Sequence, residues 1–535
     1  MSTASDSLGA GGARQIARAL PDEAATEALG RELALFLRAG DWVLLHGDLG
    51  AGKTTLARAI IRALAPAEAG EFEVPSPTFT LVQPYDFTRV PVAHVDLYRL
   101  SDPYEVDELG LEELARDHVL LVEWPQRLPD MPADRLEIHL EETDKGASRR
   151  AVLKGFGAWE ARLERMEQVR AFLERALGNA HVERRFLQGD ASARRYERLT
   201  APDGRRLILM DMPESADGPP IRDGKSYGEL VHLARGVRAV VGVNMELKRR
   251  GYSAPEVMAH DLDAGLLLLE DLGDAVFGRL YARGEEMMRT LLRAATEVLA
   301  HMASAEWPDR AALPDGGFWP IATYDAQAFL IEAELLADWF WEHVSGAPCP
   351  AEARAEYVSL MQALIAHARA GAPVWVLRDY HSPNLIWLPA REGIARVGLI
   401  DTQDAVLGPA GYDLASLLQD ARVDIPEHLE QEMLKHYCAL RARDAGSAGF
   451  DEAAFITSYH VLGAQRAAKV LGIFARLKAR DDKPGYLKHL PRVAHWLVRD
   501  LERLARADID PARRLLAFFD ARLPQVRALA AQHQS

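Results

Sequence analysis

The chain has 535 residues, too many for one ordinary domain and enough for two to four. With 48% hydrophobic and 27% charged residues it has the balance of a soluble globular protein, and no apolar run is long enough to span a bilayer. Two cysteines, Cys349 and Cys438, exclude a disulfide framework, and a formal charge of −16 argues against autonomous nucleic-acid binding.

The cysteine count fits a reducing cytosol, so a cytoplasmic location is expected. The first twenty residues contain no apolar stretch, and no secretory signal is expected. Along the chain, Trp42 to His46 reads as a short apolar strand and Lys53 to Leu64 as a helix. Apolar runs at Val92 to Val95, Val119 to Val122, Leu136 to Leu140 and Ala151 to Leu153 complete an α/β pattern of strands and helices. A charged helical stretch follows from Gly157 to Leu177. The domain junction is expected inside it, giving domains of 1–165 and 166–535.

Between the first strand and helix lies HGDLGAGKTTLARAI, a G-x-x-x-x-G-K-[ST] loop. Gly47, Gly50 and Gly52 let the backbone curl so that successive N–H groups face phosphate oxygens, and the helix N-terminus adds partial positive charge. Lys53 is placed to reach the β- and γ-phosphates, and the Thr54 hydroxyl to ligate Mg²⁺. ATP hydrolysis also needs a carboxylate on the metal side. Asp96 and Glu123 each stand at the C-terminal end of an apolar strand and are the candidates.

The set GDLGAGKTT, PSPTF (Pro75 to Phe79), HVDLYRL (His94 to Leu100) and VEWP (Val122 to Pro125) resembles the TsaE family. Those bacterial ATPases support threonylcarbamoyladenosine formation on tRNA. The resemblance spans about residues 14 to 160. It implies that Lys53, Thr54 and Thr55 serve ATP and Mg²⁺, that Asp96 and Glu123 bind metal or activate water, and that Thr78 and Trp124 lie near the nucleotide. It also implies a tRNA-modifying partner complex of the TsaB/TsaD type.

The second part opens with short strands at Glu183 to Phe186, Tyr196 to Leu199, Arg206 to Met210 and Leu266 to Leu269. Ala216 to Gly228, rich in proline and glycine, reads as a loop. Helical patterns dominate after Gly284, including Ala326 to Val344, Ala353 to Ala370 and Ser458 to Leu477. A strand-rich lobe before a helix-rich lobe is the order of a bilobal, α+β protein-kinase-like fold.

VWVLRDYHSPNLIWL centres this part. Asp379 and Asn384 have kinase spacing, and Asp401 follows after the next strand. In that arrangement one Asp deprotonates the acceptor hydroxyl while the Asn and the second Asp hold Mg²⁺. LQGDASARRYERL occupies the place of a phosphate-covering hairpin, with Gly189, Ser192, Arg194 and Arg195 as donors. LLLLEDLGD reads as the interlobe connector, where backbone near Glu270 to Leu272 would meet adenine.

GDASARRY, LLLLEDLGD, RDYHSPNL and DTQDAVLGPAGYDLASLLQDAR resemble the aminoglycoside phosphotransferase-like kinases, and most closely AmgK, the amino-sugar kinase of cell-wall recycling. The resemblance spans about residues 175 to 530. It implies Asp379 as catalytic base, Asn384 and Asp401 as Mg²⁺ ligands, and the anomeric hydroxyl of N-acetylmuramate or N-acetylglucosamine as acceptor. His381 and Asp404, beside the metal site, and Glu334, on an aromatic helix with Trp339, are candidates for sugar contacts. Asp413 is expected to brace the catalytic loop. Two positions depart from the pattern. Leu377 stands where a histidine is expected, and LILMDMP (Leu207 to Pro213) lacks the usual strand lysine. Another small alcohol or an aminoglycoside as acceptor, and a regulatory pseudokinase, therefore remain alternatives.

Overall fold

The computed structural model describes residues 14–143, 148–179, 182–187, 194–201, 203–216, 218–368, 371–446 and 449–534. They form two compact units, Met1–Met210 and Asp211–Ser535.

The first unit is built on strands β1 (Arg14–Leu20), β2 (Trp42–His46), β3 (Val82–Tyr85), β4 (Val92–Asp96), β5 (Val119–Glu123), β6 (Arg135–Thr143) and β7 (Ser148–Phe156). They lie in one sheet in the order β1-β7-β6-β2-β5-β4-β3. Strand β2 is parallel to both β5 and β6, and β4 is parallel to β5, whereas β3, β7 and β1 join antiparallel. Parallel pairing requires crossovers, and helices α1 (Glu23–Ala34) and α2 (Lys53–Leu64) are found where the chain leaves the strands. Near-continuous apolar runs in β2, β4 and β5 follow from burial on both faces. Val43 and Leu45 pack with α1 and α2 on one face; Leu44, Ala93, Val95 and Val122 pack on the other with short helices α3 (Pro103–Asp107) and α4 (Leu111–Leu114).

Helix α5 (Ala158–Leu177) carries Trp159, Leu163 and Met166 into the core of this unit. It runs unbroken through the expected junction near residue 165. Beyond it come β8 (Glu183–Leu187), β9 (Arg195–Thr200) and β10 (Arg206–Asp211), with β8 and β9 antiparallel from Glu183↔Thr200 to Leu187↔Tyr196. Phe186 packs against the first unit's core under the Arg89 guanidinium, 4.3 Å from the ring centre, and Arg195 covers Phe36 at 4.0 Å.

The second unit begins with a small ribbon, β11 (Pro220–Arg222) and β12 (Lys225–Ser226), and helix α6 (Tyr227–Leu230). This corrects the expected loop of 216–228. Ser226 caps α6 through a reciprocal bond with Glu229, a start signal hidden by the flanking glycines. Then follow α7 (Val237–Arg249), the antiparallel pair β13 (Val257–Asp261) and β14 (Leu266–Glu270), α8 (Phe277–Leu280), α9 (Glu285–Ala303), and the ribbon β15 (Arg310–Ala312) and β16 (Phe318–Pro320). The aromatic segment expected as one helix is α10 (Ala326–Leu335), a π-helical turn over Leu336–Phe340, and α11 (Trp341–Ser345).

Helix α12 (Ala351–Ile365) precedes four short strands, β17 (Val374–Val376), β18 (Leu385–Trp387), β19 (Val397–Leu399) and β20 (Val406–Gly408), paired β17 with β20 and β18 with β19. Helices α13 (Gly411–Leu418), α14 (Glu427–Ala445), α15 (Glu452–Asp481), α16 (Leu490–Arg506), α17 (Asp510–Arg522) and α18 (Gln525–Gln534) complete the chain. The long α15 passes so close to the end of α10 that a Cβ at Gly472 would stand 2.3 Å from the Leu335 carbonyl carbon. Only glycine fits there. No helix among the described residues is long and apolar enough to cross a membrane.

Candidate active sites

In the first unit, β2 delivers the chain into the glycine loop and α2 begins at Lys53. Gly47, Gly50 and Gly52 all have positive φ (145°, 83° and 100°), the conformation that turns their N–H groups inward. A Cβ at Gly47 would lie 2.7 Å from the Leu140 carbonyl oxygen. The Lys53 ammonium donates to the carbonyls of Gly47 (2.8 Å) and Asp48 (2.9 Å) and sits 3.9 Å above the Trp124 ring. Burial holds its pKa below the ordinary value, against the opposing fields of Glu123, Asp96 and Asp48.

Register brings the two carboxylates together: Asp96 on β4 is paired with Glu123 on β5. Thr54 donates its hydroxyl to Glu123 Oε1 at 2.8 Å, and His94 Nε2 meets the same oxygen at 3.0 Å. Asp96 accepts from the Thr78 hydroxyl at 2.8 Å, from Ser76 at 3.3 Å and from the Tyr98 N–H at 3.0 Å. Both acids are buried, and these donors offset the cost of holding them there. Thr55 follows, half-buried, on the first turn of α2. The donor set of Thr54, Glu123 and Asp96 is all oxygen, which fits Mg²⁺.

Sequence reasoning missed His94, Ser76 and Arg149. The Arg149 guanidinium reaches Gly50 O at 3.3 Å from β7. Strand alternation would have placed Arg149 on a face, but nothing local signals that this face adjoins the loop.

In the second unit, Asp379 follows β17 in a loop whose backbone is tied down at several points. Asp413 on α13 accepts the N–H of Leu377 at 2.6 Å and of Arg378 at 2.9 Å. Burial pushes the Asp413 carboxyl up to about 7, against those two donors. Ser382 is held by the buried Asp420 through both its N–H and its hydroxyl. The Asp379 carbonyl accepts from His381 Nδ1 at 2.8 Å, which fixes the proton on that nitrogen, and from Asn384 Nδ2 at 3.1 Å. Asn384 Nδ2 also reaches Asp401 Oδ2 at 3.4 Å, and Gln403 Nε2 donates to Asp401 Oδ1 at 3.0 Å. Burial would raise the Asp379 pKa, but the fields of His381, Lys469, Arg378 and Arg466 outweigh it, and the carboxylate is favoured.

Asp379, His381, Asn384 and Asp401 are thus gathered in one place, and Asp404 adjoins them through Gln403 at 3.3 Å. Asp404 also accepts the Ala234 N–H at 2.6 Å. Arg378 and Asp401 both have positive φ, 67° and 60°, the kind of strained backbone that concentrates at functional sites. The oxygen donors of Asn384 and Asp401 fit Mg²⁺.

The remaining candidates are held by other partners. Glu334 is 3% exposed, and one of its oxygens is shared by Arg222 (2.7 Å) and Arg354 (2.6 Å). The Glu270 carboxylate takes Arg391 at 2.6 Å. Leu272 lies against Gly398, where a Cβ would stand 3.0 Å from Leu272 Cδ1. Arg195, besides covering Phe36, faces Glu197 at 3.4 Å. Gly189 and Ser192 lie outside the described residues. Leu377, in the place of the expected histidine, is buried in apolar core, and β10 carries no lysine.

Residues 20–152 match the family described as threonylcarbamoyl adenosine biosynthesis protein TsaE, and residues 183–448 match the phosphotransferase enzyme family. An N-acetylmuramate/N-acetylglucosamine kinase of Caulobacter vibrioides is 38% identical over 371 residues, 68% of this chain and 97% of that protein. TsaE proteins of Rickettsia felis and a Nostoc species are 39% and 40% identical, over 24% and 26% of this chain and 72% and 84% of theirs. With a P-loop ATPase site in one unit and a kinase catalytic loop in the other, the chain belongs to the TsaE family in its N-terminal part and to the phosphotransferase enzyme family in the part that follows.

Proposed function

We propose that the chain is a bifunctional enzyme: an ATPase that supports threonylcarbamoyladenosine modification of tRNA, joined to an ATP-dependent kinase of N-acetylmuramate and N-acetylglucosamine. The observation that carries the kinase reading is the gathering of Asp379, Asn384 and Asp401 around one braced loop. Asp379 would take the proton from the anomeric hydroxyl, while Asn384 and Asp401 would hold Mg²⁺. When bound, Mg²⁺ neutralises charge on the phosphates. Asp404 and His381 are proposed to orient the sugar, with the His381 ring held through Nδ1 on the Asp379 carbonyl.

In the first unit the glycine loop and Lys53 would cradle the ATP phosphates. Thr54 and Glu123 would hold the metal, and Asp96 would orient the attacking water. The partner is proposed to be a tRNA-modifying complex of the TsaB/TsaD type, consistent with the acidic balance of the chain, and the location is proposed to be the cytoplasm. The domain boundary is proposed to lie near residue 165, a reading supported by matched segments that end at residue 152 and begin at residue 183.

The test is ATP consumption by the full chain with and without each sugar, comparing wild type, Asp379→Ala and Lys53→Ala. Sugar-dependent turnover lost only in Asp379→Ala supports the kinase reading. No sugar-dependent turnover in folded wild-type protein would overturn it.

A further inference from the structure

On the sheet of the first unit, β2 and β6 place three ligand-type side chains side by side. His46 is paired in register with His139, and Glu137 is two residues before His139 on the same face of β6. The two imidazole rings are stacked, 4.3 Å between centres and 9° from parallel. Glu137 Oε2 lies 3.2 Å from His139 Nε2, and Arg135 binds the other oxygen, Oε1, at 2.8 Å. One ligand atom from each of the three residues can be chosen so that all lie within 4.8 Å of one another. Among the described residues this is the one group of three such side chains that meets that spacing.

A second observation points to a ligand. His46 Nε2 is buried, yet no hydrogen-bond partner meets it. Buried imidazole nitrogens are ordinarily satisfied, because leaving one bare costs about 1–3 kcal/mol. A metal ion satisfies such a nitrogen through its lone pair. Two imidazoles and one carboxylate are the donor set of open zinc sites, which keep a further position for water.

From this cluster we infer a binding site for a late first-row divalent ion, Zn²⁺ or Co²⁺, on His46, His139 and Glu137. Ligand atoms around such an ion stand about 3.4 Å apart, from bond lengths near 2.1 Å, so binding requires the two rings to turn out of their stack until both in-plane lone pairs meet the ion. The ion replaces the proton between His139 Nε2 and Glu137 Oε2, and that proton is released to solvent. Arg135 remains on the outer oxygen of Glu137 and fixes its orientation, as second-layer partners of metal carboxylates do. Lys154, opposite Glu137 on β7, adds positive charge, so affinity is set below that of a closed structural zinc site. The site differs from the Mg²⁺ positions, which offer only oxygen. It is also tied to the P-loop, since His46 directly precedes Gly47.

The experiment is Co²⁺ titration of the nucleotide-free, chelator-treated full chain, read by visible absorption, with Zn²⁺ competition to displace it. One equivalent of Co²⁺ with intense bands of low-coordinate nitrogen and oxygen ligation is expected in wild type and in Lys53→Ala. The bands should vanish in His46→Ala/His139→Ala and weaken at least about tenfold in affinity in Glu137→Gln. If the double variant does not fold, His139→Ala and Glu137→Gln decide the matter. Absence of bands in wild type, or bands that survive in the His variants, would overturn the assignment.

Discussion

Glu332 and Arg378 form an ion pair inside the second unit, and neither side chain is more than 2% exposed. Lys469 joins the same Glu332 oxygen at 2.8 Å, and the Tyr324 hydroxyl binds the other. One buried carboxylate therefore balances two cations beside the catalytic loop.

Neutralising it should be costly. Glu332→Gln leaves Arg378 and Lys469 facing each other without a counter-charge, and breaking a buried pair from one side costs about 3–5 kcal/mol. Chemical denaturation of the second unit should show a loss of that order. Glu334→Gln, whose Arg222 and Arg354 partners are over a third exposed, should lose less.

Asp413 gives the kinase a pH signature. Its folded pKa, about 7, lies above the ordinary 3.8. Protonation is therefore favoured in the fold, and this contribution is complete below about pH 4 and lost as pH rises through 7. Asp413→Asn should flatten stability against pH across that window. The same change leaves Leu377 or Arg378 with an unmet N–H, so phosphoryl transfer should fall about tenfold or more. Unfolding curves at pH 5 and 8 and initial rates at one pH check the two effects separately.

In the first unit, Glu123 is the acid to which both Thr54 and His94 turn. Glu123→Gln should reduce ATP hydrolysis by roughly 10²–10⁴-fold while a fluorescent ATP analogue still binds. Weakened binding with unchanged turnover per bound nucleotide would assign Glu123 to positioning of ATP alone.

Gly47→Ala tests the loop itself. The new methyl must displace the Leu140 carbonyl, which belongs to β6, and must adopt a φ of 145°. ATP affinity should drop by more than about tenfold, given backbone strain of about 1–3 kcal/mol. Gly50→Ala, where a Cβ meets nothing within 4 Å, isolates the strain from the clash.

Much of this was written locally. The bounds of β2 and α2 are those read from the sequence, because a glycine loop punctuates both ends. The spacing of Asp379, Asn384 and Asp401 announced the catalytic loop, because that chemistry lives within a few residues. Strand β1 and helix α1 were not read: RQIARAL alternates weakly, and the Asp22 cap is followed by alanines rather than an apolar stripe. The fates of Glu332 and Glu334 were not legible either. Both lie on α10 two residues apart, yet one meets Arg378 and Lys469 and the other Arg222 and Arg354. Those partners are chosen by tertiary packing. The same holds for His46 and His139, which only strand register makes neighbours.

The segment matched by the phosphotransferase family starts at residue 183, within the compact unit that holds the P-loop. Phe186 is roofed by Arg89, Arg195 lies on Phe36, and Arg184 reaches Glu32 at 3.9 Å. Scissors placed between the two family segments would unroof that hairpin and bare the apolar ring beneath it. The amputated kinase half would begin with a frayed and sticky edge, so activities measured on severed halves would underestimate those of the whole polypeptide.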